Sequence, residues 1–369
     1  MKTSQVFKII EDRAPLYLAE KWDNCGLQVG SYKQDVSKIL VTLDVTPEVV
    51  DEAIEKKVDL IISHHPFIFN GLKKIWLEDQ KGEMIAQLLS NHITLYSAHT
   101  NLDKANLGLN DYIAKKIQIS ESLPLEPEEE KLYKIAIYVP VDYTEKIVKV
   151  LGESGAGFIG NYSHCTYRTM GKGTFKPLEG TNPFIGEEGE FTTVEENRIE
   201  TIIDGRMVKS LIKKIKAAHP YEEMAYDLFP LENGKLLMKH GLGKIGVLEK
   251  SMSATDFIQH VKTCLNLEHV RVAGKPPKKV KRVALCTGSG AEFMGMAKVR
   301  KADVYITGDL KYHEAQRAYE NNLWVIDAGH FGSEKMVVDL LKELIDKQTE
   351  KDQIQTIVST KNEDFMRFY

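Results

Sequence analysis

The sequence contains 369 residues, of which 43% are hydrophobic, and it carries a formal net charge of −4 at pH 7. This composition excludes an intrinsically disordered chain, and the length is sufficient for two domains of ordinary size. The small net charge and the lack of a long basic block argue against nucleic acid as the main partner.

The cysteines and the first residues bear on the cellular compartment. The four cysteines show no CxxC spacing, which is typical of reduced thiols rather than of a disulfide framework or a cysteine-rich zinc site. The first residues lack the apolar run of a signal peptide, and no stretch approaches the ~20 apolar residues of a membrane helix. We therefore expect a cytoplasmic protein with no membrane partner.

Residues 1–125 alternate helical and strand patterns. The patterns predict helices at Thr3–Ala14, Pro47–Lys56, Lys81–Asn91 and Gly108–Lys116, and strands at Lys38–Asp44, Val58–Ser63 and Ile93–Ala98. Such alternation predicts an α/β fold, with a mainly parallel sheet that is covered by helices on both faces.

The middle of the chain has a different order of elements. A charged segment at 125–131 reads as a linker. The patterns that follow it predict strand, helix, strand, strand, helix and strand, which is the order of a ferredoxin-like α+β unit. Gly234 and Gly241–Gly243 then indicate a return to the first domain, and strand–helix alternation resumes to the end. We therefore predict a discontinuous α/β domain (1–125 and 239–369) interrupted by an inserted domain (126–238).

Three predicted strands run into residues that bind metals. Val58–Ser63 is followed by His64 and His65, and Ile93–Ala98 by His99 and Asp103. The strand at Leu323–Ile326 is followed by His330 and, one helical turn later, by Glu334. Because strand ends on one edge of an α/β sheet lie together, these residues could form one cluster. The cluster would offer more ligands than one ion uses, which indicates a pair of divalent ions.

Each of these signals has an ordinary alternative when it stands alone. The two neighbouring histidines could be satisfied by backbone groups in a loop, and Asp103 could be a turn residue. His330 and Glu334 could lie on a solvated helix start. The metal-site hypothesis therefore depends on all three strand ends carrying such residues together. Three further residues, His99, Asp309 and His313, could be ligands, partners that orient ligands, or catalytic acid–base groups; we favour the orienting role.

Two further segments, one rich in glycine and one containing a tryptophan, each allow two interpretations. Gly288, Ser289 and Gly290 lie between a predicted strand and helix, which suits either an anion cradle of backbone N–H groups or a tight turn. Trp22–Leu27 reads as a structured loop, with site lining as the less favoured alternative.

Several segments together resemble one known family. The segments are WDNCGLQVG (22–30), SHHPFIF (63–69), AHTNLD (98–103), CTGSG (286–290), TGDLKYHEA (307–315) and DAGHFGSE (327–334). They are similar to those of the GTP cyclohydrolase 1 type 2 homologue family, also called the NGG-interacting-factor-three-like family, and occur in the expected order.

This resemblance implies a site and an assembly. It implies two divalent ions per chain, zinc with manganese or iron as alternatives, held by five ligands: His64, His65, Asp103, His330 and Glu334. It also implies a homohexamer with enclosed metal sites, and it suggests that the inserted domain is similar to the PII/CutA-like fold.

Two classes of function are compatible with the sequence. The first is a metal-dependent hydrolase, GTP cyclohydrolase-like by resemblance, that acts on a small molecule, nucleotide-like or phosphate-bearing. The second is a non-catalytic metal-handling or protein-interaction protein whose inserted domain senses a ligand.

Overall fold

The structure is a computed structural model and describes residues 1–128, 131–160, 162–232 and 239–367. Glu129 and Glu130 of the predicted linker, and Gly234 of the predicted return, lie outside these ranges. The chain divides into two compact units, Met1–Glu128 together with Lys239–Tyr369, and Glu129–Met238. Among the described residues, no helix has the length and apolar character needed to cross a membrane.

The first segment of the larger unit alternates helices and strands. Its helices are α1 (Thr3–Arg13), α2 (Pro47–Glu55), α3 (Gln80–Ser90), α4 (Thr100–Lys104) and α5 (Leu109–Lys116). Its strands are β1 (Gly26–Val29), β2 (Lys38–Thr42), β3 (Leu60–Ser63), β4 (Thr94–Ser97) and β5 (Ile119–Pro127).

The smaller unit has the strand–helix–strand–strand–helix–strand order. Its elements are β6 (Leu132–Pro140), α6 (Thr144–Glu153), β7 (Tyr167–Phe175), β8 (Thr192–Asp204), α7 (Val208–Ala218) and β9 (Tyr226–Leu231). The four strands form an antiparallel sheet in the order β7-β8-β6-β9. The α6 and α7 helices share a buried apolar cluster with this sheet, which includes Ile137, Leu151 and Ile215.

The last segment returns to the larger unit. Its strands are β10 (Gly241–Met252), β11 (Arg271–Ala273), β12 (Val280–Leu285), β13 (Val304–Thr307), β14 (Trp324–Asp327) and β15 (Gln355–Val358). Its helices are α8 (Ala254–Leu265), α9 (Met294–Val299), α10 (Tyr312–Glu320), α11 (His330–Glu334) and α12 (Val337–Thr349).

The larger unit contains two sheets rather than one. In the first, β4, β3, β2 and β15 are parallel and β1 adds antiparallel to β4. The second sheet has the strand order β11-β14-β13-β12-β10-β5. Its pairings β12–β13 and β13–β14 are parallel, whereas β11–β14, β10–β12 and β5–β10 are antiparallel. The expectation of a mainly parallel sheet is therefore right for the first sheet and wrong for the second. The error arose because the three antiparallel strands of this sheet, β5, β10 and β11, were not recognised as strands.

Helices cover both faces of each sheet. One large buried cluster joins the inner faces of both sheets, through residues such as Ile62 and Ile306, and contains apolar residues of α1, α5, α8 and α12. Separate clusters on the outer faces pack α2 and α3 against the first sheet and α9 and α10 against the second. The α2 helix starts where the sequence predicts, since Thr46 Oγ1 accepts a hydrogen bond from Val49 N (3.4 Å) and Pro47 follows the cap.

The smaller unit interrupts the larger one at the point where a hairpin turn would lie. Strands β5 and β10 are antiparallel partners, with Pro127 opposite Gly241, and Glu128 N donates to His240 O at 3.0 Å. The segment at 125–127 is therefore part of a strand and not of a linker. Because the larger unit itself holds the two ends of the interruption side by side, a short turn can join them.

We expect the larger unit to fold without the interruption. Replacing Glu129–Lys239 by a Gly/Ser turn of about four residues should preserve a cooperative thermal transition, because the β5–β10 ladder remains. The same turn placed directly after Gln118, which removes all of the β5 residues that pair with β10, should abolish that transition. Circular dichroism during heating checks both variants. Loss of cooperative folding in the first variant would contradict a modular interruption.

Candidate metal centre

The candidate site is built where the carboxyl ends of parallel strands from both sheets meet. In the first sheet, His64 and His65 follow β3 directly, and His99 follows β4 after one residue. In the second sheet, Asp309 follows β13, and His330 begins α11 shortly after β14. Strand ends of this kind are the usual location of ligand sites in α/β folds.

His64 is buried, and its ring has one satisfied and one unsatisfied nitrogen. Its Nδ1 lies 2.7 Å from Ala98 O, so Nδ1 must carry the proton, because a carbonyl only accepts. The Nε2 atom is then a bare lone pair, buried and without a hydrogen-bond partner. Asp103 Oδ1, 3.6 Å away, is also buried and unpartnered. Two facing buried acceptors are costly unless a cation lies between them or Asp103, whose pKa burial raises to about 7, carries a proton.

The other two predicted histidine ligands are held by carboxylates. His65 Nδ1 lies 2.8 Å from Asp44 Oδ1, and His330 Nδ1 lies 2.7 Å from Asp309 Oδ2. A carboxylate on one ring nitrogen orients the imidazole and directs the lone pair of the other nitrogen outward, as in many metal sites. Asp44 was not predicted as a site residue.

The free ends of these two rings meet at Glu334, which is buried. His65 Nε2 lies 3.3 Å from His330 Nε2, and Glu334 Oε2 lies 3.0 and 3.1 Å from these two atoms. Ligands at 2.0–2.2 Å from a tetrahedral zinc ion are separated by about 3.3 Å. The spacing of the three atoms therefore fits a single ion bound by all three residues.

The local environment sets the protonation of the cluster. Burial lowers the pKa of His64 to about 3. Burial also acts to lower the pKa of His65, but hydrogen bonds to two carboxylates outweigh it and raise that pKa to about 10. Burial acts to raise the pKa of Glu334, but the neighbouring histidines hold it well below its usual value. His64 is thus neutral and Glu334 anionic, and metal binding at these residues would release the proton that His65 carries without metal.

His99 lies beside the first two histidines and is oriented in the same way. Its Nδ1 is 2.9 Å from Asp23 Oδ1, and its ring centroid is 5.3 Å from that of His64 and 5.5 Å from that of His65. Ligand atoms of these three histidines lie within 4.8 Å of one another. Asp23 also accepts from Thr100 N at 3.1 Å. The less favoured interpretation of Trp22–Leu27 as site lining is therefore the right one for Asp23.

The turn that carries Asp309 has a strained backbone. Asp309 has φ +54°, in the left-handed region that residues other than glycine rarely adopt. A Cβ atom at Gly308 would come within 2.8 Å of His330 N, so only glycine permits this approach to the start of α11. The strain places the Asp309 carboxylate on His330, which is typical of a functional site.

The Gly288–Gly290 turn makes room for the cluster and does not cradle an anion. Gly288 N donates to Ser333 Oγ (2.9 Å) and Gly290 N to Thr307 Oγ1 (3.0 Å), so two of the three predicted donors are already used. A Cβ atom at Gly288 would lie 2.2 Å from Glu334 Oε1. The structure therefore does not support the anion-cradle hypothesis for Gly288, Ser289 and Gly290. Instead, the glycine at position 288 lets the backbone pass close to the buried Glu334 carboxylate.

The structure does not bring His313 into the cluster. Its side chain is exposed on α10, where Nδ1 lies 3.4 Å from Gln316 Oε1 and the ring packs against Tyr312. The other predicted residues that are close in space are His64, His65, His99, Asp103, Asp309, His330 and Glu334.

Comparison with known proteins agrees with this arrangement of motifs. The sequence model of DUF34/NIF3 (NGG1p interacting factor 3) matches residues 1–364. The chain belongs to the DUF34/NIF3 family. The GTP cyclohydrolase 1 type 2 homolog of Bacillus subtilis is 42% identical over 341 residues, 92% of this chain and 91% of that protein. The Listeria innocua homolog is 42% identical over 364 residues, 98% of this chain and 97% of that protein.

Solved structures show the same fold. A Bacillus cereus protein related to NIF3 has a TM-score of 0.81 at 40% identity, with 100% of this chain and 99% of that chain covered. A Staphylococcus aureus protein has a TM-score of 0.75 at 30% identity with the same coverage. The mixed α/β architecture and its several sheets are thus those of DUF34/NIF3 proteins.

We expect Gly288→Ala to damage this DUF34/NIF3 cluster selectively. The new Cβ would collide with Glu334, and the left-handed φ of +63° adds a cost of about 1–2 kcal/mol. The variant should therefore unfold at lower temperature and bind less zinc. Gly295→Ala is the matched control, because a Cβ there meets nothing within 4 Å and alanine favours the α9 helix. Equal zinc content in both variants and the wild type would contradict the close approach.

Proposed function

We propose that this chain is a dinuclear divalent-metal protein and a metal-dependent hydrolase for a small, phosphate-bearing or nucleotide-like molecule. The observation that carries the proposal is the buried lone pair of His64 Nε2, which faces Asp103 Oδ1 with no donor between them. A divalent cation would satisfy both acceptors at once.

The donor set fits two ions. His65, His330 and Glu334 would hold one ion, and His64 and Asp103 would contribute to the other, with Glu334 or Asp103 as the shared carboxylate. Imidazole and carboxylate ligands suit zinc, and manganese or iron are compatible with the same set. A shared carboxylate offsets the repulsion between two adjacent cations.

The chemistry of hydrolysis needs a water of lowered pKa and a group that moves protons. Divalent ions supply the first by acidifying a bound water and stabilising developing negative charge. His99 can supply the second, because Asp23 holds its Nδ1 and leaves Nε2 as the basic atom beside His64 and His65. Burial acts to raise the pKa of Asp23, but its hydrogen bonds outweigh this and lower it, so it stays ionised and keeps His99 in that orientation.

The cleft beside the cluster supports a small, phosphate-bearing substrate. A cleft of about 1260 Å³ is lined by His65 and His330 and also by Arg271, Lys311 and Lys335. Its size is sufficient for a small molecule, and arginine and lysine side chains recognise phosphate groups. Arg271 is also paired with Asp327, and Lys335 Nζ donates to Asn266 O at 2.6 Å, so a phosphate would share these two side chains with groups of the protein. The name of the Bacillus subtilis relative, GTP cyclohydrolase 1 type 2 homolog, agrees with a nucleotide-like substrate.

We also propose a cytoplasmic homohexamer whose smaller unit is a PII/CutA-like domain. The hexamer and the location are supported by the family resemblance, and closed symmetric assemblies are usual for soluble homo-oligomers. The PII/CutA-like assignment is supported by the order of elements in β6–β9 with α6 and α7.

Metal content tests the first part of the proposal. Protein stripped with chelator and reloaded with zinc should contain two ions per chain by elemental analysis. His65→Ala/His330→Ala should remove at least one ion, and Asp309→Asn should weaken zinc binding about 10–100-fold through the lost orientation of His330. His92→Ala is the control, since His92 precedes β4 at the end opposite His99. Saturation at one ion, or an unchanged double variant, would refute the dinuclear centre.

Turnover tests the second part. Zinc-loaded protein should hydrolyse GTP or a member of a panel of phosphate esters with saturation, and chelator should abolish the reaction. His99→Gln should retain both ions and lower kcat about 10²–10⁴-fold, as expected for loss of a general acid–base group. His92→Gln should match the wild type. Full metal loading without metal-dependent turnover would instead favour a metal-handling or interaction role.

A further inference from the structure

The segment Ser359–Arg367, which follows β15, is attached to the larger unit by two separate sets of contacts. The first set involves Glu52 on α2, whose carboxylate accepts from Thr360 N (3.0 Å), from Thr360 Oγ1 (2.8 Å) and from the Ser359 hydroxyl. Ser359 N also donates to Val41 O at 2.8 Å. These contacts fix the start of the segment.

The second set is made by Asn362 alone and reaches the end of β2. Asn362 Oδ1 accepts from Leu43 N at 2.8 Å, and Nδ2 donates to Ser359 O at 2.9 Å. Thr42 Oγ1 lies 2.8 Å from Asn362 Oδ1 and 2.7 Å from Asp44 O, and its single proton can serve only one of these two acceptors at a time. Because a backbone N–H can only donate, the amide oxygen of Asn362 must face Leu43.

The opposite side of the same two residues holds the histidine pair. Thr42 O accepts from His64 N at 3.2 Å, and Leu43 O accepts from His65 N at 3.0 Å. The next residue, Asp44, holds His65 Nδ1 at 2.8 Å. Residues 42–44 are therefore a bridge, with Asn362 on one side and the two histidines on the other.

The continuation of the segment lies at the cleft. Residues 364–367 line the same cleft as His65 and His330. The segment is thus in contact with the region of the metal centre at two places, first through the 42–44 bridge and then along the cleft wall.

We propose that Asn362 is a positioning residue of the metal centre, acting through residues 42–44 on His64 and His65. The proposal rests on the proposed metal-binding function. Its physical basis is that Glu52 already anchors the segment, whereas Asn362 Oδ1 accepts the hydrogen bond from Leu43 N, without which residues 42–44 would be free to shift. A ligand cluster loses affinity when its supporting groups move.

Zinc affinity of the full chain, measured by competition with a chromophoric chelator, tests the assignment, and heating of the metal-free protein reports stability in parallel. Asn362→Ala should weaken zinc binding about tenfold, while Asn362→Asp, which keeps the acceptor, should stay within about threefold of wild type. Glu52→Gln is the matched control: it loosens the same segment without touching residues 42–44. It should lower the unfolding midpoint of the metal-free protein and leave the zinc affinity within about twofold.

The remaining outcomes separate the two proposals. If Asn362→Ala lowers the unfolding midpoint but binds zinc as tightly as wild type, Asn362 is only structural and this inference is wrong. If Glu52→Gln weakens zinc binding as much as Asn362→Ala does, the segment acts as a whole and the assignment to Asn362 is wrong. If the wild type itself binds no zinc, the proposed function and this inference fall together.

Discussion

The constraint on which the centre depends is the direction of its histidine protons. Ala98 O, Asp44, Asp23 and Asp309 each take the Nδ1 side of one imidazole ring. The Nε2 atoms of these rings are consequently turned toward a small space that also contains Glu334 and Asp103. Two acceptors in this space, His64 Nε2 and Asp103 Oδ1, are buried without a hydrogen-bond partner, which is unfavourable in a protein interior until positive charge reaches them. Binding of divalent cations in this space would therefore stabilise the folded protein.

The two-sheet architecture explains how these side chains are held in position. Parallel strands of the two sheets end at the cluster, and buried apolar clusters on both faces of each sheet hold the strand ends rigidly. Local features that destabilise the chain are concentrated here, including the left-handed Asp309 and the close approaches at Gly288 and Gly308. Such features persist only where the surrounding structure compensates for them, and they mark functional regions.

Sequence alone predicted the parts of the centre that have local signals. His64, His65 and His330 follow apolar strands, so their residue types and positions could be read directly, and the helix start at Thr46-Pro47 was equally explicit. Asp23 and Asp44 could not be assigned, because the acceptor that a ring nitrogen meets is set by tertiary packing. The available signal was that Asp44 lies just after a parallel strand. β5 was missed because Pro124, Pro127 and neighbouring acidic residues resemble a linker. The role of Gly288 depends on the side chain of Glu334, which is distant in the sequence, so no local pattern reveals it.

The central claim is that the Nε2 atoms are metal ligands, and anomalous diffraction from crystals of the zinc-loaded protein tests it most directly. The account predicts two zinc peaks per chain about 3.5–4 Å apart. It also predicts one of them about 2.0–2.1 Å from Nε2 of both His65 and His330, with His64 Nε2 bound to the other. A single peak, binding through Nδ1, or zinc outside the cluster would contradict the account.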